Sequence, residues 1–331
     1  MYKEKLMRYI YNSITDPYFN LALEEYLLKH NEEEYFILWR NEPCIVVGKN
    51  QNTLSEIHFD FVNDNNIKVV RRLTGGGAVF HDLGNLNFTF IVNDASSFND
   101  FKGFVLPIIE TLSTLGIKAE FSGRNDMLID GKKFSGNAQC KHKERVMHHG
   151  TLLFSSNMRD LSAALKPKSI KFSDKSVKSV SSRVTNIHEH LTTKINVLEF
   201  KDAIFNYIAD SKNSLIEALT NEEITSICKL RDDKYSTWKW NFGDSPKYSF
   251  YNEKRFTAGT FEVHIDVQKG LIRDIKLYGD FFGKIDIAEL ECLLKGIPHE
   301  KSELIKALSD IEINNYITNI SVEELAELIA D

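Results

Sequence analysis

The sequence predicts an α+β fold with a mixed sheet, followed by a smaller α+β unit towards the C-terminus. Three observations predict it. Apolar runs of strand length are interleaved with amphipathic helical stretches, without a regular strand–helix–strand repeat. The run Thr237 to Pro246 packs Trp238 and Trp240 beside Gly243, Ser245 and Pro246, which reads as a junction. After it, a hairpin signal at Lys269-Gly270 precedes three helical patterns. The boundary falls near Ser245, giving units 1–245 and 246–331.

The elements follow in order. Asp16-Pro17 opens a helix, with Asp16 as N-cap and Pro17 at the first helical position. Phe19, Leu23, Tyr26 and Leu27 share one face of it. Tyr35 to Trp39 and Cys44 to Gly48 are apolar runs around Arg40-Asn41-Glu42-Pro43 and read as a pair of strands. Ile67 to Val70 and Leu86 to Val92 are further strands. Phe101 to Leu115 is spaced as a helix ending at Gly116; Pro107 lies in its first turn or kinks it. Phe121 and Met127 to Ile129 are strand residues, Asp130-Gly131 is a hairpin turn, and Thr151 to Phe154 is another strand.

Between Lys166 and Lys178, lysines alternate with Ser, Pro and Asp without periodicity. A structureless stretch of that length inside a domain suggests a lid, and its charge fits a solvated loop equally well. Helices follow at Val197 to Ala209 and Asn221 to Lys229. In the C-terminal unit, Gly259 to Val267 and Leu271 to Tyr278 are strands. Asp286 to Leu294, Lys301 to Leu308 and Val322 to Ile329 are helices.

Composition narrows the function. The 331 residues are 42% apolar and 27% charged, as in soluble globular proteins. A net charge of −6 argues against a general nucleic-acid role. The 166–178 lysines are a short patch with one aromatic, Phe172. The cysteines, Cys44, Cys140, Cys228 and Cys292, form no C-x-x-C pair and suggest neither a zinc site nor a disulfide framework. A reducing cytoplasm is the expected compartment. Met1 to Asn20 lacks the apolar core of a signal peptide, and no stretch is long enough for a membrane span.

One run organises the chain: Arg71-Arg72-Leu73-Thr74-Gly75-Gly76-Gly77-Ala78-Val79-Phe80-His81-Asp82. It lies between two strands. Glycines allow a tight bend with φ > 0, and their N–H groups can converge on an anion. The arginines supply fixed positive charge for phosphate or carboxylate. It is neither of the familiar phosphate loops, since no Gly-Lys-Ser/Thr follows and it does not open a helix. Three more blocks follow: Gly123-Arg124-Asn125-Asp126, then Asp130-Gly131-Lys132-Lys133-Phe134-Ser135-Gly136-Asn137-Ala138, then His148-His149-Gly150-Thr151.

In order and spacing these blocks resemble the lipoate–protein ligase family over most of the first 245 residues. Ser181 to Asn186 matches the family's block after the lysine-rich loop, and the C-terminal unit matches its accessory domain. The resemblance implies a mixed-sheet catalytic domain of the biotin/lipoate ligase type and a two-domain bacterial-type enzyme. It implies two half-reactions: lipoate and ATP give lipoyl-AMP and pyrophosphate, and a lysine amine on an acceptor then displaces AMP. The implied acceptors are lipoyl domains of 2-oxoacid dehydrogenase E2 subunits or the glycine-cleavage H protein. No tightly bound prosthetic group, nucleic acid or membrane partner is expected, and a monomer is the default.

The resemblance also implies roles. Lys133 is the expected catalytic residue, its ammonium bridging the acyl carbonyl and the phosphate. Neighbours on a strand point oppositely, so only one of Lys132 and Lys133 can enter the site. Arg72, with the backbone of Gly77, Ala78, Val79 and Phe80, is expected on ATP, and the alternative role for Arg71 is to orient the loop. Gly76 and His149 are expected on lipoate. Asp126 is a candidate Mg²⁺ ligand, or else forms an Asx turn. His81 and Asp82 are read as structural or site-lining, and Val79, Phe36, Leu38 and Leu152 as candidates for the acyl tunnel. The rival reading is a cysteine-dependent octanoyl or lipoyl transferase on the same scaffold. It would rest on Cys140, since Arg145 to His148 carries no thiol. Two further expectations are a 166–178 loop ordered by ligands and an accessory domain that reorients between half-reactions.

Overall fold

Continuous apolar runs suit strands buried on both faces, and the computed structural model places them in layered sheets. It describes residues 7–57, 59–123, 125–157, 164–165, 183–210, 215–242, 250–268 and 270–330. The 166–178 loop and the chain around Ser245 lie outside these residues.

The strands of the N-terminal part are β1 (Arg8–Tyr11), β2 (Tyr35–Trp39), β3 (Cys44–Val47), β4 (Lys68–Arg71), β5 (Val79–His81) and β6 (Asn85–Val92). They continue with β7 (Ala119–Ser122), β8 (Asp126–Ile129), β9 (Lys132–His142), β10 (Arg145–Leu153) and β11 (Leu215–Ile216). An eight-stranded mixed sheet has the order β11-β1-β2-β6-β10-β9-β8-β7, and a small sheet has β4-β3-β5. Tyr35–Trp39 and Cys44–Val47 are therefore strands, as expected, but of different sheets. Asn41 sits at the turn between them, accepting from Asn20 Nδ2 at 2.9 Å, and this buried contact carries the chain from one layer to the other.

Helix α1 (Pro17–His30) starts as its sequence dictates, with the Asp16 carboxylate accepting from Tyr18 N. Its inner side joins Ile37, Trp39, Ile91 and Met147 of the large sheet and Val46 and Val70 of the small one. Short helices α2 (Thr53–Glu56) and α3 (Phe59–Asp64) flank the small sheet. On the other face of the large sheet, Phe36, Leu38, Phe88, Phe90 and Leu152 pack with α4 (Phe101–Thr114) and α5 (Val197–Asp210). Pro107 is interior to α4, past its first turn, and the helix runs on to a Gly116 with φ +82°. The Asp130-Gly131 turn joins β8 to β9 with both residues at positive φ, 50° and 74°. Helices α6 (Asn221–Leu230) and α7 (Trp238–Asn241) close this part.

The C-terminal unit is a meander of β12 (Phe250–Phe256), β13 (Gly259–Gln268) and β14 (Leu271–Gly279). It is covered by α8 (Ile287–Leu293), α9 (Lys301–Ser309) and α10 (Val322–Ala330). Its core, with Phe261, Ile265, Ile275, Leu290, Leu304 and Leu325, is drawn wholly from its own residues. It docks on the glycine run: Gly76 N donates to Phe281 O at 3.4 Å, Gly279 N to Asn50 O at 2.6 Å, and Lys49 pairs with Asp286 at 3.0 Å. No helix among the described residues is long and apolar enough to cross a membrane.

Candidate active site

A cavity of about 290 Å³ lies between the two sheets, under the glycine run. Strand register supplies its floor. Trp39 pairs with Asn87, Asn87 with Thr151, and Gly136 with Asp126. Gly136 N donates to Thr151 Oγ1 at 3.2 Å, which closes the row. Trp39, Asn87, Thr151, Gly136 and Asp126 thus form one line across β2, β6, β10, β9 and β8, and all of them line the cavity. Leu21, Val46 and Val79 make its apolar wall near Trp39.

Lys133 enters this row through a bulge. Leu128 pairs with Lys133 while Met127 pairs with Ser135, so Phe134 is an extra residue on β9. The bulge puts Lys133 and Gly136 on one face, although residues three apart on a regular strand face oppositely. Lys133 Nζ then lies over Gly136, 3.0 Å from where a Cβ would sit, and pairs with Asp126 Oδ1 at 2.7 Å. Lys132 is exposed and outside the cavity, so the one-lysine expectation describes the strand correctly. Asp126 and Asp280 both line the cavity, and no cluster of three or more metal-ligating residues occurs among the described residues.

The glycine run is held by its own arginines. Arg72, buried in the wall, donates from Nε to Thr74 Oγ1 (2.9 Å) and Gly75 O (3.2 Å). Its Nη1 donates to Val46 O (3.1 Å), and its Nη2 to Gly75 O (2.6 Å) and Gly77 O (2.8 Å). Arg72, expected on ATP, lines the cavity and donates to the carbonyls of Val46, Gly75 and Gly77 and to the Thr74 hydroxyl. Arg71 points away and ties Gly48, Lys49 and Gln51 carbonyls to Asn241 and Trp240. It is expected to orient the glycine loop, and these bonds hold the 48–51 segment instead.

The three glycines have different reasons. Gly76 alone has positive φ, +89°. A Cβ on Gly75 would lie 2.0 Å from Phe281 O. Among the described residues other than its chain neighbours, a Cβ on Gly77 would meet no atom within 4 Å, which leaves that space open to a bound molecule. Gly75→Ala is expected to destabilise by about 1–3 kcal/mol through overpacking. Gly77→Ala should leave stability unchanged or slightly higher, yet weaken ATP binding. Urea titration and calorimetry with ATP check both. Ala78 and Val79 line the cavity with Gly76 and Gly77. Phe80 does not, because strand alternation turns its ring into the layer of Ile45 and Val69.

His149 also lines the cavity. Its Nδ1 faces Glu24 Oε1 at 2.9 Å and its Nε2 faces Thr74 Oγ1 at 2.8 Å. Glu24 is buried and also accepts from Thr89 Oγ1 at 2.6 Å, which in turn accepts from Trp39 Nε1 at 2.9 Å. A buried polar chain thus links α1 to the glycine run. His148 points to the opposite face, stacked on Phe104, and burial holds it neutral. The neighbouring histidines diverge as strand geometry requires. His81 lines the cavity beside Trp39.

Three expectations for the acyl tunnel are corrected: Phe36, Leu38 and Leu152 lie in the core under α4 and α5, on the far face of the sheet. Strand alternation puts Trp39, missed by sequence reasoning, on the near face instead. Glu24, Thr74 and Asn87 were also missed, as was Asp280 of the C-terminal unit. The period-2 rule would have found Trp39 and Asn87 once the face of β2 and β6 was known. Glu24 carries no such signal, since α1 is buried on nearly every side.

Cys140 lies on β9 outside the cavity, near Lys49, Leu73 and Lys284. Burial pushes its thiol up to about 12, so it is not a thiolate at neutral pH.

Residues 16–209 match the lipoyl protein ligase A/B catalytic domain, and 245–329 match the bacterial lipoate protein ligase C-terminus. The chain is 44% identical over 323 residues to the lipoate-protein ligase LplJ of Bacillus subtilis (strain 168), covering 96% of this chain and 98% of that protein. It is similar in structure to P. falciparum LipL1 in complex with lipoate, with TM-score 0.79 and 28% identity, over 98% of this chain and 99% of that one. It is also similar to a lipoate-protein ligase A bound with ATP, with TM-score 0.62 and 25% identity, over 72% and 99%.

Proposed function

This chain belongs to the lipoate–protein ligase family, and from that premise we propose how its cavity divides the work. The activity is that of an ATP-dependent lipoate–protein ligase. In the first half-reaction a lipoate carboxylate oxygen bonds to the α-phosphorus of ATP, and pyrophosphate leaves with the electrons of the broken P–O bond. In the second, a lysine amine bonds to the acyl carbon, AMP leaves, and the amine's proton passes to water.

The observation that carries the residue assignment is the placement of Lys133. Its ammonium faces the glycine run across the cavity, with Asp126 at one end of the strand row and Trp39 at the other. Both half-reactions build negative charge on oxygen, and a preorganised cation at that point stabilises it. Lys133 is assigned to the acyl carbonyl and α-phosphate. The backbone of Gly77, Ala78 and Val79 is assigned to the nucleotide, and Gly76 and His149 to the acyl group. The chain of the acid runs from Lys133 across the row towards Trp39, against Leu21, Val46 and Val79.

Asp126 is assigned to the Mg²⁺ that arrives with ATP. Its half-exposed carboxylate fits, because Mg²⁺ needs one or two protein carboxylates when phosphates and water complete its shell. It also orients Lys133 before ATP arrives. The acceptors are lipoyl domains of 2-oxoacid dehydrogenase complexes or the H protein, whose lysine is the nucleophile.

The test is lipoate-dependent exchange of pyrophosphate into ATP, with Mg²⁺ and no acceptor. Exchange is expected in the wild type and, undiminished, in Cys140→Ser, because that thiol is protonated and outside the cavity. Absent exchange, with acyl transfer from a carrier that fails in Cys140→Ser, would replace the ligase reading with the transferase.

A further inference from the structure

Of the block Ser181 to Asn186, the described residues are 183–186, and they run against the backbone of Lys133 from outside the cavity. The ladder between β10 and β9 runs from His142 to Asn137 and ends there. Beyond it, β9 carries the bulge at Phe134, where the register with β8 also shifts. The 183–185 segment takes up the open edge. Lys133 N donates to Arg183 O and Thr185 N donates to Lys133 O, both at 2.9 Å, as a parallel bridge at Val184. The backbone of Lys133 is therefore fixed by this strap and not by β10.

The strap is itself held from two sides. Asn186 Oδ1 accepts from Ser156 N at 2.8 Å and its Nδ2 donates to Ser156 O at 3.1 Å, which docks it on the chain leaving β10. Thr185 is 3% exposed. Its hydroxyl donates to Glu189 Oε2 at 3.3 Å and meets His190 Nε2 at 2.8 Å. His190 Nδ1 in turn faces Asp130 Oδ2 at 3.6 Å, in the turn that opens β9. Lys133, Thr185, His190 and the Asp130 turn thus close a frame around the start of β9.

We infer that Thr185 is a positioning residue, whose hydroxyl fixes the strap that sets the direction in which the Lys133 side chain leaves β9. The ammonium stands at the end of a flexible four-carbon stem. Asp126 holds its tip at 2.7 Å, and the strap holds its base. Loss of the hydroxyl frees the base while the tip stays paired. A reacting group displaced by about 1 Å costs up to about 100-fold in rate, so with one end retained the expected loss is about tenfold. Thr185 lies outside the cavity lining, so ATP and lipoate should bind as before.

The inference rests on the assignment of Lys133 in the ligase reading, and the test separates them. It is a cycle of Thr185→Val, Lys133→Ala and the double variant, read by lipoate-dependent pyrophosphate exchange. Thr185→Val keeps the β-branched shape and removes the hydroxyl. Its kcat should fall about tenfold, with KM for ATP and for lipoate within about twofold of wild type. Thr185→Ser, which keeps the hydroxyl, should recover most of the rate. In the Lys133→Ala background the Val substitution should change nothing, because a residue acting through Lys133 has nothing left to act on. The same loss in both backgrounds would assign Thr185 to folding alone and overturn the inference, as would a wild-type rate in Thr185→Val. Absent exchange in the wild type, or a full rate in Lys133→Ala, would instead overturn the reading beneath it, and the inference with it.

Discussion

Lys133→Ala should lower lipoate-dependent pyrophosphate exchange on the order of 10³-fold, the scale seen when one preorganised oxyanion donor is removed. The fold should be untouched. Side-chain exposure is 40% for Lys133 and 36% for Asp126, so water can hydrate the carboxylate left behind. Surface pairs of this kind contribute about 0–1 kcal/mol, and the urea midpoint should barely move. Lys133→Arg should recover only part of the rate, since a planar fork does not replace a compact ammonium lying over Gly136. Transfer from preformed lipoyl-AMP to an acceptor should also fall, because the carbonyl still develops negative charge in that step. A variant that adenylates normally but fails in transfer would confine Lys133 to the second half-reaction. Near wild-type rates in both would remove it from the chemistry.

This case also shows what was legible in the sequence. Strand alternation lets only one of Lys132 and Lys133 enter the site, and the resemblance to the ligase family selects Lys133. The bulge at Phe134, which aims Lys133 across Gly136, could not be read, because a bulge is a property of the pairing with β8 and not of β9 alone. The same limit explains the tunnel. Phe36, Leu38 and Trp39 are equally apolar, and β2 is buried on both faces. Periodicity therefore gives a strand without saying which face meets the small sheet. The elements came through well where local signals agreed, as with the Asp16 cap and the Leu271–Gly279 hairpin strand. Contacts across hundreds of residues, such as Phe281 over the glycine run, have no local signal.

Arg72→Ala should cost about 3–5 kcal/mol of stability, the loss expected when one partner of a buried charged network is removed. Arg72 is 5% exposed, and its donations reach Val46 O, Thr74 Oγ1, Gly75 O and Gly77 O. Burial draws its pKa down to about 10, with Glu24 acting the other way, so it is charged at neutral pH. Truncation strands the loop carbonyls and removes the cation facing Glu24. Arg72→Lys keeps charge but offers three donors from one point, too few and too compact for these acceptors. It should recover part of the stability while leaving the glycine run misplaced. The resemblance suggests a different outcome, a direct ligand of ATP, on its phosphate or adenine side, whose loss weakens ATP binding and spares the fold. Urea unfolding and ATP calorimetry on the same samples decide between them. Loss of both stability and affinity means that Arg72 builds the cradle. Loss of affinity alone means that it leaves the carbonyls and reaches the nucleotide when ATP binds.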